Sequence, residues 1–322
     1  MKRTTVKICF CMLWVALVGC FLSCGKEDDP MLMGKKKTIV AATDTLRVLS
    51  IGNSFSVDAL GYVPFLMAEL APDVDFTLCI AHDPYCSLKK HFENANNGYG
   101  YTLYFNVEAQ PWSCRNDMSL ASILDLAPWN IIIFQQVSYD SYKYSSCQPH
   151  LDQLIEWVKN RASTPSAMAW LITPSFADGS EQLSKYDFDS DGMAQSIGQC
   201  AKSIIQETPI SLIIPSGTAV QYARHTSLDQ YGQFGHLTYD GSHLQPGIAC
   251  LTEAYAATEA LLRFKGRTML IANSRMNIDD NWVVINNIPQ SGSLFGVTEA
   301  NLALAKQCAL QAIDNLYWTS KK

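Results

Sequence analysis

From residue 46 onward the chain alternates short apolar runs with longer segments whose apolar residues recur at helical spacing. The runs cover residues 46–51, 76–81, 130–134, 168–173 and 209–215. Each is short, rich in β-branched residues and nearly continuous in apolar character, as expected for strands buried on both faces of a parallel sheet. Helical patterns lie between them at 58–70, 87–94, 119–126, 149–161 and 192–206, and two more, at 245–264 and 298–318, follow the last strand. Strands alternating with helices predict βαβ units with right-handed crossovers. The expected fold class is α/β, a three-layer α/β/α sandwich around a central five-stranded parallel sheet of flavodoxin-like type. Residues 96–117, rich in glycine and aromatics, read as an insertion over the sheet's edge or its active-site end. Residues 266–297 read as a second irregular stretch. In an open parallel sheet ligands bind beyond the carboxyl ends of the strands. Chemistry is therefore expected just after Ile51, Ala81, Phe134, Thr173 and Pro215.

The start of the chain has a different character. Lys2, Arg3 and Lys7 precede an almost uncharged apolar run, 8–22, that is short for a membrane span and has the order of a secretory signal. Two lipoprotein-type cleavage boxes overlap there, ending at Cys20 and Cys24. Cys24 is followed by Gly25-Lys26-Glu27-Asp28-Asp29, which resembles the acidic leader of many Gram-negative surface lipoproteins, so Cys24 is the expected lipidation site. This divides the chain into a signal (1–23), a polar tether (24–44) and one domain (45–322). The expected location is the outer membrane or surface of a Gram-negative bacterium, with the lipid as the only contact to the membrane.

Loss of the three basic side chains in residues 1–23 leaves 21 bases against 30 acids, a net charge of −9. That excludes a nucleic-acid binder, which needs a basic face. Hydrophobic residues make up 48% of the chain and aromatics 11%, enough for a packed core. Seven cysteines remain after the signal: Cys79, Cys86, Cys114, Cys147, Cys200, Cys250 and Cys308. None belongs to a CxxC pair or stands at metal-ligand spacing from a histidine, so neither a metal nor any other cofactor is expected. An exported protein could form disulfides, yet an odd count leaves one thiol over.

Two places carry chemistry. Gly52-Asn53-Ser54-Phe55 follows the first strand and precedes the first helix. A serine on such a turn is exposed at the sheet's edge, near backbone N–H groups that could hold an oxyanion. Taken alone it reads rather as an ordinary turn in which Ser54 or Ser56 caps a helix. Tyr239-Asp240-Gly241-Ser242-His243 precedes the long helical pattern at 245–264. Two intervening residues let the Asp240 carboxylate reach the Nδ1–H of His243 and leave Nε2 free as a base. Alone, this too could be a helix-capping acid with an incidental histidine.

Together, a Gly-x-Ser turn after the first strand and an Asp-Gly-x-His block about 190 residues later resemble the SGNH, or GDSL-type, hydrolases. The resemblance covers about residues 46–264, and Asp-Gly-Ser-His-Leu-x-Pro-x-Gly is its most specific block. It implies a Ser54–Asp240–His243 triad, with Asn53 in place of the usual aspartate of Gly-Asp-Ser. The family's second block normally supplies a backbone glycine to the oxyanion hole. The corresponding stretch, 81–88, has no glycine, and Cys86 takes the expected position. The third block normally supplies an asparagine after the third strand. Here Gln135-Gln136 stand instead, and Gln136 is the expected donor beside the Ser54 N–H, with Gln135 turned to the other face and Ser138 as the fallback. Gly-Asn-Ser-Phe with a Gln-Gln pair is similar to a lipoprotein branch of the superfamily.

The resemblance implies acyl transfer to Ser54 followed by hydrolysis of an ester. Trp112, Tyr139, Tyr142 and Tyr144 are expected at the rim, where they suit stacking against sugars, and an acetylated extracellular glycan is the expected substrate. A lipase or thioesterase, or a glycan-binding lipoprotein without catalysis, are the alternatives.

Overall fold

A computed structural model of the chain describes residues 44–232, 234–275 and 295–319. The expectations for the signal, Cys24 and all of the tether but Asp44 fall on residues 1–43, outside the described residues, as does 276–294 of the second irregular stretch.

β1 (Asp44–Gly52) leads through α1 (Ser54–Leu60) and α2 (Val63–Leu70) into β2 (Val74–His82). Next come α3 (Leu88–Asn97), β3 (Gly100–Val107), β4 (Ser113–Ser119), α4 (Leu120–Leu124) and β5 (Ile131–Phe134). The second half runs α5 (Tyr144–Cys147), α6 (His150–Lys159), β6 (Ala167–Leu171), α7 (Ser190–Glu207) and β7 (Leu212–Ile214). It ends with α8 (Ser216–Arg224), α9 (Ile248–Phe264) and α10 (Glu299–Asp314).

The strands form one seven-stranded sheet in the order β4-β3-β2-β1-β5-β6-β7. The five strands read from the apolar runs pair in parallel. The expected five-stranded sheet is corrected by β3 and β4, which add an antiparallel hairpin to the β2 edge. The stretch taken for an insertion is thus part of the sheet. Its outer strand, Ser-Cys-Arg-Asn-Asp-Met-Ser, is largely exposed and carries no apolar signal. Such a polar edge is a common way to discourage pairing with other chains.

Alternation along the strands divides the core into two halves. Val48, Leu78, Ile80, Ile131, Ile133, Ala169 and Leu171 face a layer built from α1, α2, α8, α9 and α10. Leu49, Ile51, Cys79, Ala81, Ile132, Phe134 and Trp170 face the opposite layer, with α3, α4, α6 and α7. Neighbouring strand residues point to opposite sides, so both faces are apolar and the runs read as continuous. α9 is buried from Ile248 through Leu262 and packs among α1, α8 and α10.

Two local features matter for the site. The helix expected over 58–70 is two helices, because Pro64 lies in the first turn of α2 and cannot continue a helix from α1. α1 also begins four residues earlier than the pattern indicates, since Asn53 caps it: the side chain accepts a hydrogen bond from the Phe55 N–H at 3.1 Å. Ser54 therefore stands in the first turn of α1, beyond the carboxyl end of β1. β1 is also where the strand order reverses, with β2 on one side and β5 on the other, the crevice at which open α/β sheets bind ligands.

Candidate active site

A buried hydrogen-bond chain holds the turn that carries Ser54. The hydroxyls of Ser50 and Ser56 lie 2.9 Å apart, and Ser56 Oγ donates to Gln135 Oε1 at 2.5 Å. Gln135 Nε2 donates to Asn53 Oδ1 at 2.6 Å, and Asn53 Nδ2 donates to the Cys86 carbonyl at 3.3 Å. The chain joins β1, α1, the end of β5 and the loop after β2, and Ser50, Asn53, Ser56 and Gln135 are essentially without solvent exposure. Gly52 is required beneath it: a Cβ there would stand 2.2 Å from Ser56 Oγ and 2.9 Å from the Gln135 amide.

The second turn folds around Asp240. Its Oδ1 accepts the backbone N–H groups of Ser242 (2.8 Å) and His243 (2.7 Å), and its Oδ2 lies 2.7 Å from His243 Nδ1. Gly241, at φ +86°, supplies the left-handed residue this compact turn needs. The His243 ring is stacked between Phe55 (centroids 5.1 Å apart) and Tyr239 (5.7 Å). Its Nε2 lies 2.8 Å from Ser54 Oγ across a sequence separation of 189 residues. Ser54, His243 and Asp240 thus form one continuous relay. The donor at Nδ1 fixes the tautomer in which Nε2 accepts from the serine.

The electrostatics favour a carboxylate and a basic imidazole. Burial alone would raise the Asp240 pKa, but the hydrogen bonds from the His243 ring and from two backbone N–H groups outweigh it and hold the carboxyl below its usual range. Burial alone would lower the His243 pKa. The hydrogen bond to Asp240 and the charges of Asp58 and Asp240 instead carry it above the ordinary imidazole value.

These residues open into a cleft of about 390 Å³. Phe55, Val137 and Phe176 give it apolar walls, and Tyr85, Tyr139 and Tyr186 form the rim. The rim tyrosines are linked: Tyr186 Oη donates to the Tyr139 carbonyl at 3.1 Å, and Tyr139 Oη donates to the Tyr85 carbonyl at 3.4 Å.

Two expected oxyanion donors are corrected. The Cys86 N–H donates to the Asp83 carbonyl at 3.3 Å, and Tyr85, not Cys86, lines the cleft. Tyr85 has φ +55°, a left-handed conformation that is costly for a bulky residue and easy for glycine. The glycine-like geometry is therefore present at this position without the glycine. Gln136 points away from the cleft. Its Nε2 donates to the Ser146 carbonyl and hydroxyl at 2.9 and 3.1 Å, while its Oε1 accepts from the Leu88 and Val137 N–H groups. Gln135 is the one that faces the serine turn, and it does so from beneath. Ser138 does line the cleft.

Of the four expected rim aromatics only Tyr139 lines the cleft. Trp112 donates its indole N–H to the Gly61 carbonyl, and Tyr144 packs against the core half containing α6 and α7. Tyr142 lies behind the wall, edge-on to Tyr186 at 5.4 Å. Phe176, Gln182, Lys185 and Tyr186, all on the loop after β6, also line the cleft, although no sequence motif marks them. The available signal was their place just beyond a strand's carboxyl end. Among the described residues no group of three or more His, Cys, Asp or Glu side chains could hold a metal ion.

Gln135→Leu keeps the volume and removes both amide contacts, leaving the Ser56 hydroxyl and the Asn53 amide oxygen each one partner short in a dry site. It should destabilise the protein by about 1–3 kcal/mol, read as a lower denaturation midpoint in urea. An unchanged midpoint would show that the chain beneath the turn contributes nothing.

A crystal structure of a DUF4886 family protein from Bacteroides uniformis ATCC 8492 is similar, with a TM-score of 0.71 at 25% identity, over 84% of this chain and 95% of that one. A protein from Slackia heliotrinireducens, described as a candidate SGNH hydrolase, gives a TM-score of 0.47 at 17% identity, over 68% of this chain and 100% of that one. No curated protein matches the chain. The family described as "Domain of unknown function (DUF4886)" matches residues 47–283, well over half of the sequence, and the protein belongs to that family.

Proposed function

We propose that the protein is a serine esterase that removes acetyl groups from carbohydrate outside the cell. The observation that carries this reading is the relay Ser54 Oγ–His243 Nε2 at 2.8 Å and His243 Nδ1–Asp240 at 2.7 Å, opening into a cleft. His243 Nε2 takes the Ser54 proton as the oxygen attacks the ester carbonyl. The imidazolium, stabilised by Asp240, then gives that proton to the departing sugar hydroxyl. Water repeats the sequence on the acyl-enzyme and releases acetate.

The oxyanion needs donors beside Ser54. The Ser54 N–H is one. The Tyr85 N–H and the Ser138 hydroxyl are the next, since both residues line the cleft and neither donor is engaged by another described residue. The left-handed turn at Tyr85 fits this role, because strain of that kind persists where surrounding contacts enforce it. Here the Tyr139 hydroxyl and the Asn53 amide hold the carbonyls of Tyr85 and Cys86.

The cleft volume lies near the lower end of the roughly 300–1,000 Å³ typical of ligand pockets. That favours a short acyl group over a long chain. Exposed Tyr85 (73%) and Tyr139 (41%) offer ring faces of the kind sugars stack on. Export and lipidation at Cys24 would set the enzyme on the cell surface, among glycans. Mass spectrometry of the mature N-terminus should find an acylated Cys24, and an unmodified N-terminus or acylated Cys20 would refute that site.

Ser54→Ala should lower kcat for acetate release from acetylated glycans by on the order of 10³-fold or more, with the melting temperature unchanged. Ser138→Ala should lose roughly 10²-fold in kcat at similar KM. Retention of more than a tenth of the activity by the Ser54 variant would contradict the mechanism. The base must be neutral to act, so kcat/KM should rise with pH through the His243 pKa. Because that pKa is raised, the acid limb should lie above the ordinary imidazole value of about 6.5. An acid limb below that value would contradict the role of His243 as a base held by Asp240.

A further inference from the structure

Behind the relay lies a titratable group that the mechanism above does not use. Asp58 stands on α1 one turn after Ser54 and is 2% exposed. Its Oδ2 accepts the backbone N–H of Leu244 at 3.1 Å, and Leu244 directly follows His243. This contact crosses 186 residues of sequence. It joins the helix that begins with the serine to the turn that carries the histidine. The Cys250 thiol donates to the Leu244 carbonyl at 3.7 Å, so both polar backbone groups of Leu244 are held.

The groups that face Asp58 come from two elements. Tyr239, Asp240 and His243 belong to the turn, while Cys250 and Glu253 belong to α9. Glu253 is fully buried, neither of its carboxyl oxygens has a hydrogen-bond partner among the described residues, and burial pushes its pKa well above the usual range. Burial thus disfavours its charged form, against the opposing charge of Arg224. Burial makes Cys250 and Tyr239 harder to ionise as well. Of these groups His243 is the one that can become positive. Burial also lifts the Asp58 pKa, to about 6, against the opposing charge of His243 and the Leu244 hydrogen bond. The carboxylate is thus ionised in neutral solution. An unpaired buried charge would be costly, and its location beside the catalytic imidazole gives it a partner when that ring is protonated.

We propose that Asp58 is a positioning residue for the Ser54–His243 pair, fixing the base turn against the nucleophile helix and placing a second negative charge beside the His243 ring. This rests on the hydrolase reading above. Asp240 holds the ring at Nδ1, and Asp58 holds the backbone just beyond it. The imidazolium formed during acyl transfer is then stabilised from two sides. No atom of Asp58 touches the reacting ester; it acts through His243.

The test compares Asp58→Asn and Asp58→Ala in the full chain. Asparagine can still accept from the Leu244 N–H but carries no charge. Alanine removes both. The His243 titration midpoint is followed by NMR of the ring protons, assigned with His243→Gln, alongside the pH profile of ester hydrolysis. With Asp58→Asn, the midpoint and the acid limb of kcat/KM should both move to lower pH, with the melting temperature retained. Asp58→Ala should show the same displacement and lose about 10²-fold in kcat, the size of loss that misplacing a reacting group by about 1 Å can cause. An Asp58→Asn protein that folds and titrates His243 at the wild-type midpoint would overturn the inference. A wild-type protein that hydrolyses no ester, yet whose midpoint moves in Asp58→Asn, would contradict the hydrolase reading and support the coupling.

Discussion

Ser54 and His243 approach to 2.8 Å although 189 residues separate them, so each turn must be pinned from below. For the serine the pin is the chain Ser50–Ser56–Gln135–Asn53–Cys86, closed off from water beneath the end of β1. In such a dry place each polar group needs its partner, because a missing one costs the full desolvation of the group left behind. The loop after β2, the end of β5 and the start of α1 are therefore held in one arrangement. Strand order supplies the rest: β1 lies at the reversal point, so the loops after β2 and β5 converge on its carboxyl end from either side.

The histidine side is built on a different principle. Its turn is held by hydrogen bonds to carboxylates, Asp240 from within the turn and Asp58 from α1. The same acids tune the imidazole, so geometry and basicity share one set of contacts. Stacking between Phe55 and Tyr239 keeps the ring in plane. Phe55 adjoins Ser54, so the dipeptide Ser54-Phe55 both meets His243 and packs against its ring. On the far side of the cleft the linked tyrosines Tyr186, Tyr139 and Tyr85 couple loops from three strand ends into one wall. Tyr85 remains left-handed because its carbonyl and that of Cys86 are each held from outside the turn.

Much of this could be read from the sequence, and the failures have physical causes. The parallel strands were legible because both of their faces are buried, leaving uninterrupted apolar runs. The hairpin β3–β4 was not, since its outer strand faces solvent and is polar. α8 was missed because Ser216-Gly217-Thr218 resembles a turn more than a helix. Gly217 is there for packing: a Cβ would meet the Thr173 carbonyl at 2.2 Å. Ser54, Asp240 and His243 stood out because strand-to-helix turns and Asp-x-x-His spacing are local features. The sequence does not fix which of Gln135 and Gln136 faces the serine turn, because alternation sets the phase inside a strand but not past its last residue. Nothing in the sequence marks Tyr85 as left-handed. Asp58 read as a helix start, and its contact with Leu244 exists only once the two turns have met.

The central claim is that Ser54 is a nucleophile activated by His243, and covalent capture tests it most directly. The protein would be treated with a fluorophosphonate and the adduct mapped by peptide mass spectrometry. One phosphonyl group is expected on the peptide containing Ser54, formed much more slowly when His243 is replaced by alanine. An intact serine after exhaustive treatment, or an adduct on another residue, would contradict it.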